Sequence, residues 1–216
     1  MPELNAGWGK PGRRGVLGAA LGLLAGPVLL RAARAAATPA GTIENFDNAL
    51  LAVMKAGRSA PFLQRFNMLA PVVDQTFDLE TVLHNSIGPQ WTGMSAEQHA
   101  SLLATFRRYT VATWVANFDS WSGQQFRVAP DVRQVGADVV VPTDLIAADG
   151  SPTRLSYVMR QEGGAWKVVD VLAEGSISRV AVQRSDFRSL LANGGVPALQ
   201  ASLQKKIASL SDGSLA

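Results

Sequence analysis

Residues 153–173 read TRLSYVMRQEGGAWKVVDVLA, and this stretch decides the fold. Leu155, Tyr157 and Met159 alternate with Arg154, Ser156 and Arg160, so a strand here carries one apolar and one polar face. Gly163-Gly164 supplies the positive φ of a tight connection, and a run rich in β-branched residues follows at once. Upstream, residues 125–129 and 137–146 have the same character, with Val135-Gly136 and Asp149-Gly150 at the turns. Four strands, 125–129, 137–146, 153–161 and 165–173, are therefore expected to pair as an antiparallel meander with one buried face.

On either side the apolar period changes from two to steps of three and four. Thr42 caps a helix carrying Ile43, Phe46, Leu50 and Val53, and Gly57 ends it. Ser59 caps a second helix with Pro61 in its first turn and Phe62, Phe66 and Leu69 on its buried face; Pro71 breaks or kinks it. Asp78 caps a short helix that runs to Ile87 and stops at Gly88-Pro89. Ser95-Ala96-Glu97-Gln98 is a capping box, and behind it Leu103, Phe106, Thr110, Trp114 and Phe118 form one stripe of a long helix. Beyond the sheet two more helices, 177–192 and 197–210, are separated by Asn193-Gly194-Gly195. The fold class is α+β: N-terminal helices, a four-stranded antiparallel sheet and two C-terminal helices.

Composition narrows the chemistry. The 216 residues include no cysteine, which excludes zinc ribbons, iron–sulfur clusters, disulfide scaffolds and thiol nucleophiles. The formal charge of +3 belongs to the first 37 residues, since the rest holds 15 basic against 16 acidic side chains. A nucleic-acid partner is therefore not expected. The leader itself has the order of an export signal: Arg13-Arg14, an uncharged run from Gly15 to Leu30, then Ala35-Ala36-Ala37 as an A-x-A cleavage site. Both the general and the twin-arginine export routes suit it. The expected organisation is a cleaved signal, residues 1–37, and a single soluble domain, residues 38–216, outside the cytoplasm.

Catalytic motifs are scarce. His84 and His99 lie in different expected helices across Gly88-Pro89, which favours exposed surface positions over a metal pair or general base. There is no G-x-S-x-G elbow and no phosphate-binding glycine loop. Asp170 and Glu174 are paired carboxylates that can do acid–base work, but more often such residues cap the next helix or pair with an arginine, here Arg179 or Arg184. No catalytic set, metal or cofactor is expected. What remains is apolar surface on sheet and helices, and a curved sheet against helices leaves room for an apolar pocket.

Four stretches in order carry a family resemblance. They are Phe77-Asp78-Leu79-Glu80 leading to Ile87-Gly88-Pro89-Gln90-Trp91; Ser95-Ala96-Glu97-Gln98 with Phe106-Arg107-Arg108-Tyr109; Trp166 to Val171 with Glu174-Gly175-Ser176-Ile177-Ser178; and Arg184-Ser185-Asp186-Phe187 with Gly194-Gly195-Val196. In their joint order and spacing, over nearly all of the chain after the leader, they resemble the MlaC or toluene-tolerance family of periplasmic lipid-binding proteins, and within it the hopanoid-associated HpnM branch. Gly88-Pro89-Gln90-Trp91 departs from the family's usual Gly-Arg-Tyr-Trp, which puts in doubt any partner contact made by that arginine.

The resemblance implies a pocket between sheet and helices that takes lipid acyl chains, phospholipid or hopanoid, with the head group near solvent. It also implies partners: an outer-membrane lipid donor complex and the substrate-binding component of an inner-membrane ABC transporter. The helical residues expected to line the pocket are Val72, Phe77, Val82, Leu83, Phe106 and Tyr109. Those expected from the strands are Val139, Val141, Leu155, Tyr157, Met159, Val169 and Val171, chosen because period two fixes which residues share a face. Two other readings compete. An enzyme with a cone-shaped α+β fold, like ketosteroid isomerase, needs a shifted acid or base in the pocket, with Asp144, Asp170, Glu174 and His84 as candidates. A scaffold subunit has no cavity at all.

Overall fold

The computed structural model describes residues 38–215; the expected export signal, residues 1–37, lies outside the described residues. Five α-helices and an antiparallel sheet follow the order α1 Pro39–Ala56, α2 Phe62–Thr76, α3 Leu79–Ile87, a 3₁₀ turn Gly88–Gly93, α4 Ala96–Asn117, β1 Gln125–Val128, β2 Arg133–Val135, β3 Asp138–Ile146, β4 Pro152–Glu162, β5 Ala165–Ala173, β6 Ile177–Ser178 and α5 Arg179–Leu210. The fold is the expected α+β arrangement with more strands than the four anticipated.

The additional strands are short pieces at the sheet's edges. β1 and β2 pair with successive parts of β3, so together they form one edge interrupted at Ala129-Pro130-Asp131-Val132. β2 is three residues long and wholly exposed, which hides it from any burial pattern. β6 adds two residues to β5 before α5 begins. The sheet order is β1-β3-β4-β5-β6, with β2 also on β3. The central strands pair as the expected antiparallel meander, with Val139 facing Met159, Val141 facing Tyr157, and Tyr157 facing Val171.

Several helix ends differ from expectation for local reasons. α1 starts one turn early, because the Thr38 hydroxyl accepts a hydrogen bond from the Gly41 N–H at 3.0 Å and Pro39 tolerates the first position. α2 begins after Pro61 without a side-chain cap, and Ser59 instead donates to the Ala56 carbonyl at 2.8 Å. Pro71 does not end this helix. It and Asn67, whose carbonyl loses its partner, are both exposed, so water satisfies the freed group. Asp78 and the Ser95–Gln98 capping box are as expected.

The polar face of the sheet holds ion pairs between adjacent strands. Arg154 reaches Asp144 at 2.7 Å, Arg127 approaches the same carboxylate at 3.5 Å, and Arg160 pairs with Asp138 at 2.7 Å. The apolar face is covered in two different ways. α1 seals one half: Phe46, fully buried, meets Phe77, Trp114 and Tyr157 edge-on at centroid distances of 5.1, 5.0 and 6.0 Å. The other half, along β4 and β5, faces α4 and the start of α5.

α5 is two helical segments broken at Gly195, with φ 64° and ψ −159°, a backbone region open to glycine alone. Its neighbour Gly194 brings two turns together, since a Cβ there would lie 2.6 Å from that of Ala198. Gly195→Ala is therefore expected to lower stability by about 1–3 kcal/mol, read as a shift of the urea midpoint at unchanged slope; an unmoved midpoint would show that the kink is not required.

Candidate functional site

The part of the sheet left uncovered by α1 borders a cavity of about 240 Å³. Leu155, Val168, Val171 and Ala173 form its floor from β4 and β5. One wall is α4, through Phe106, Tyr109, Thr110, Thr113, Trp114 and Asn117, continued by Phe118 at its C-cap. Leu79 and Val82 of α3 close one end with Phe77, and Arg179, Val180 and Gln183 of α5 stand across the opening. Phe77 is held there by the chain entering β5's neighbourhood: the Asp78 N–H donates to the Val168 carbonyl at 3.0 Å, and Phe77 bridges to Val168 in parallel.

Six of the thirteen expected residues line this space: Phe77, Val82, Phe106, Tyr109, Leu155 and Val171. The other seven do not. Val139, Val141, Tyr157 and Met159 share a sheet face with Leu155 but lie in the solid core beneath the helices. Leu83 is one residue and about 100° around α3 from Val82, and is completely buried in the core. Val72 is half-buried on α2, away from the lining. Val169 is displaced by a β-bulge: the register slips between Val158 and Met159, so Met159 faces Val168 and it is Val168 that lines the floor.

The residues missed at sequence level had a visible signal in one case. Thr110, Trp114 and Phe118 belong to the stripe already recognised along α4, which borders the cavity as well as packing on the core. Arg179, Val180 and Gln183 carried no such signal, because the start of α5 is mixed in polarity.

The cavity's one carboxylate is Asp170, and it is committed to structure. Its oxygens accept the Val171 N–H at 2.7 Å, the Val180 N–H at 3.1 Å and the Ser178 hydroxyl at 2.5 Å, so it fastens the beginning of α5 to β5. This is the capping role expected for it. Glu174 sits in the β5–β6 turn with φ 52°, and Arg184 packs against Gly88. Asp144 is on the opposite sheet face, where the Arg154 guanidinium holds its carboxyl below the usual range.

His84 is exposed as expected and His99 is half-buried, and the two lie on the same indole. His99 stacks on Trp91 at 4.0 Å and 11°, with Nε2 3.0 Å from the Trp91 carbonyl, and His84 lies 5.3 Å away on the same indole. Neither lines the cavity. Among the described residues no group of three or more His, Asp or Glu is placed to hold a metal ion.

A buried acid does exist elsewhere. Asp47 on α1 is pushed up to about 8 by burial, with Glu44 adding to the rise and the nearby Tyr157 hydroxyl tempering it. Burial and the Asp47 charge likewise raise Tyr157. Neither oxygen of Asp47 nor the Tyr157 hydroxyl has a protein hydrogen bond of good geometry. This pair is outside the cavity lining, so the shifted group that an enzyme of the cone-shaped type needs in its pocket is not found there.

Comparison with known proteins gives a consistent picture. The family model described as MlaC protein matches residues 44–205, well over half of the chain. A phospholipid-binding protein from Ralstonia solanacearum, solved in complex with a phospholipid, has the same fold, with a TM-score of 0.71. It is 21% identical, and the alignment covers 81% of this chain and 99% of that one. No curated protein matches the sequence. The chain belongs to the MlaC family.

Proposed function

We propose, with membership of the MlaC family as the premise, that this protein is an exported carrier that shelters lipid acyl chains while they cross an aqueous compartment. The observation that carries the reading is the cavity between β4, β5, α4 and α5, whose lining is mainly aromatic and aliphatic. Burying one methylene is worth about 0.8 kcal/mol, so a long-chain lipid leaves a membrane unaided only rarely. A dry cavity offsets that cost without any reaction chemistry.

At about 240 Å³ the space is below the roughly 300–1,000 Å³ usual for small-molecule sites. Loading a two-tailed lipid therefore requires the helices to move outward, and a partner that favours one of the two states controls loading and release. Phospholipid is the preferred ligand over a hopanoid, because the Ralstonia protein of like fold was solved with a phospholipid. Residues 1–37 act as the export signal, and the periplasm is the working compartment. The partners on this reading are an outer-membrane lipid donor complex and the substrate-binding component of an inner-membrane ABC transporter.

Protein recovered from its own cell envelope, extracted with organic solvent and analysed by mass spectrometry, is expected to yield about one equivalent of phospholipid and an N-terminus near Thr38. Hopanoid in the extract would place the chain in the HpnM branch. An empty protein that also takes up no labelled phospholipid from vesicles would overturn the carrier reading.

A further inference from the structure

The cavity's opening differs in charge from its interior. Its lining includes one basic side chain, Arg179, in the first turn of α5 and exposed to solvent. Arg179 makes no ion pair among the described residues, so its guanidinium is not neutralised by a carboxylate of the protein. The carboxylate closest in sequence on the lining, Asp170, already accepts three protein hydrogen bonds.

The amides at the start of α5 are occupied as well. Asp170 takes the Val180 N–H and the Ser178 hydroxyl takes the Ala181 N–H at 2.9 Å. An anion arriving at the opening thus meets the guanidinium and not the helix end. Asn117, exposed on the opposite wall, adds a neutral donor, whereas Gln183 is engaged at 3.0 Å with the Ser86 hydroxyl, whose single proton goes to the Val82 carbonyl at 2.8 Å.

We infer that Arg179 selects ligands whose head group is anionic, holding a phosphate or carboxylate at the opening while the hydrocarbon tail enters the apolar interior. The inference rests on the carrier reading and deepens it: the protein discriminates by head-group charge. Guanidinium suits the task because its planar donors match the oxygens of a phosphate or carboxylate two at a time. Discrimination is moderate, since an exposed ion pair is screened by water and salt.

The test uses the delipidated full chain and two amphiphiles with the same tail, 1-palmitoyl lysophosphatidate and uncharged 1-palmitoylglycerol. The wild type should bind the phosphate-bearing amphiphile more tightly. Arg179→Gln should weaken that binding about two- to fivefold, leave 1-palmitoylglycerol unchanged, and flatten the salt dependence; Arg179→Lys should keep most of the preference. Unchanged melting would confirm that the variants fold. Equal binding of both amphiphiles by the wild type, unaffected by Arg179→Gln, would overturn the inference and leave the carrier reading standing. Binding of neither would overturn both. If inorganic phosphate at equal concentration displaced lysophosphatidate, the site would be one for free anions and the head-group assignment would be wrong.

Discussion

Asp47→Asn is expected to stabilise the protein at pH 8 by roughly 2–5 kcal/mol and to remove most of its pH dependence between pH 4 and pH 8. Asp47 is 3% exposed, with both carboxyl oxygens lacking a protein partner. Burial disfavours its ionised form and pushes the folded-state value up from the ordinary carboxylate range to about 8. In the unfolded chain the same group ionises near pH 4. Between these values the folded protein retains a proton that the unfolded chain gives up, so stability declines as pH rises, by up to about 1.4 kcal/mol per pH unit. Below pH 4 both states are protonated and the penalty vanishes; above pH 8 both are ionised and it is complete.

Asparagine keeps the shape and cannot ionise. Urea unfolding of both proteins from pH 4 to pH 8 measures the difference directly. Parallel stability curves would show that Asp47 ionises in the folded protein at an ordinary pH, which requires water or a cation beside it. Tyr157→Phe is a useful companion, since it removes the orphaned hydroxyl while leaving the slope from Asp47 in place.

The sequence placed Asp47 in view without its meaning being drawn. It is four residues after Ile43 and three before Leu50, hence on the stripe that buries α1. Capping residues and turn glycines marked most boundaries correctly because their effects are local: the Ser95 box, the Asp78 cap and the Gly195 break need no knowledge of the rest of the chain. Pro71 misled because its consequence depends on exposure, which is a tertiary property.

The site was legible only to the depth that periodicity allows. Alternation identified the apolar face of β4 correctly, but it does not say which part of that face α1 covers, so Val139, Val141, Tyr157 and Met159 were assigned to a space that the protein fills itself. Nor does alternation anticipate one extra residue. The bulge in β5 exchanged Val169 for Val168, and nothing in the run Val168-Val169-Asp170-Val171 announces it. Arg179 is visible in the sequence only as a pairing partner for Asp170 or Glu174, because a single charge beside a strand end is ordinary until the cavity behind it is known.

The most decisive variant for the proposed function is Ala173→Trp. Ala173 lines the floor near the opening, opposite Leu155 across the strand pair, and is only half-buried. An indole there has open space to enter, so it should occupy the cavity without forcing the core apart; the melting temperature is expected to stay within about 2–4 °C, the equivalent of 1 kcal/mol or less in a domain of this size. Lipid loading should nevertheless fall by at least about tenfold, because each methylene excluded forfeits about 0.8 kcal/mol of burial and two lost contacts already exceed the 1.4 kcal/mol of a tenfold change. Leu63→Trp is the matched control: Leu63 is 47% exposed on α2 and absent from the cavity lining, so the same bulk added there should leave loading intact. Mass spectrometry of the two purified variants gives the comparison. A folded Ala173→Trp protein carrying a full complement of lipid would mean that the tails lie elsewhere, and the cavity between β4, β5, α4 and α5 would lose its assigned role.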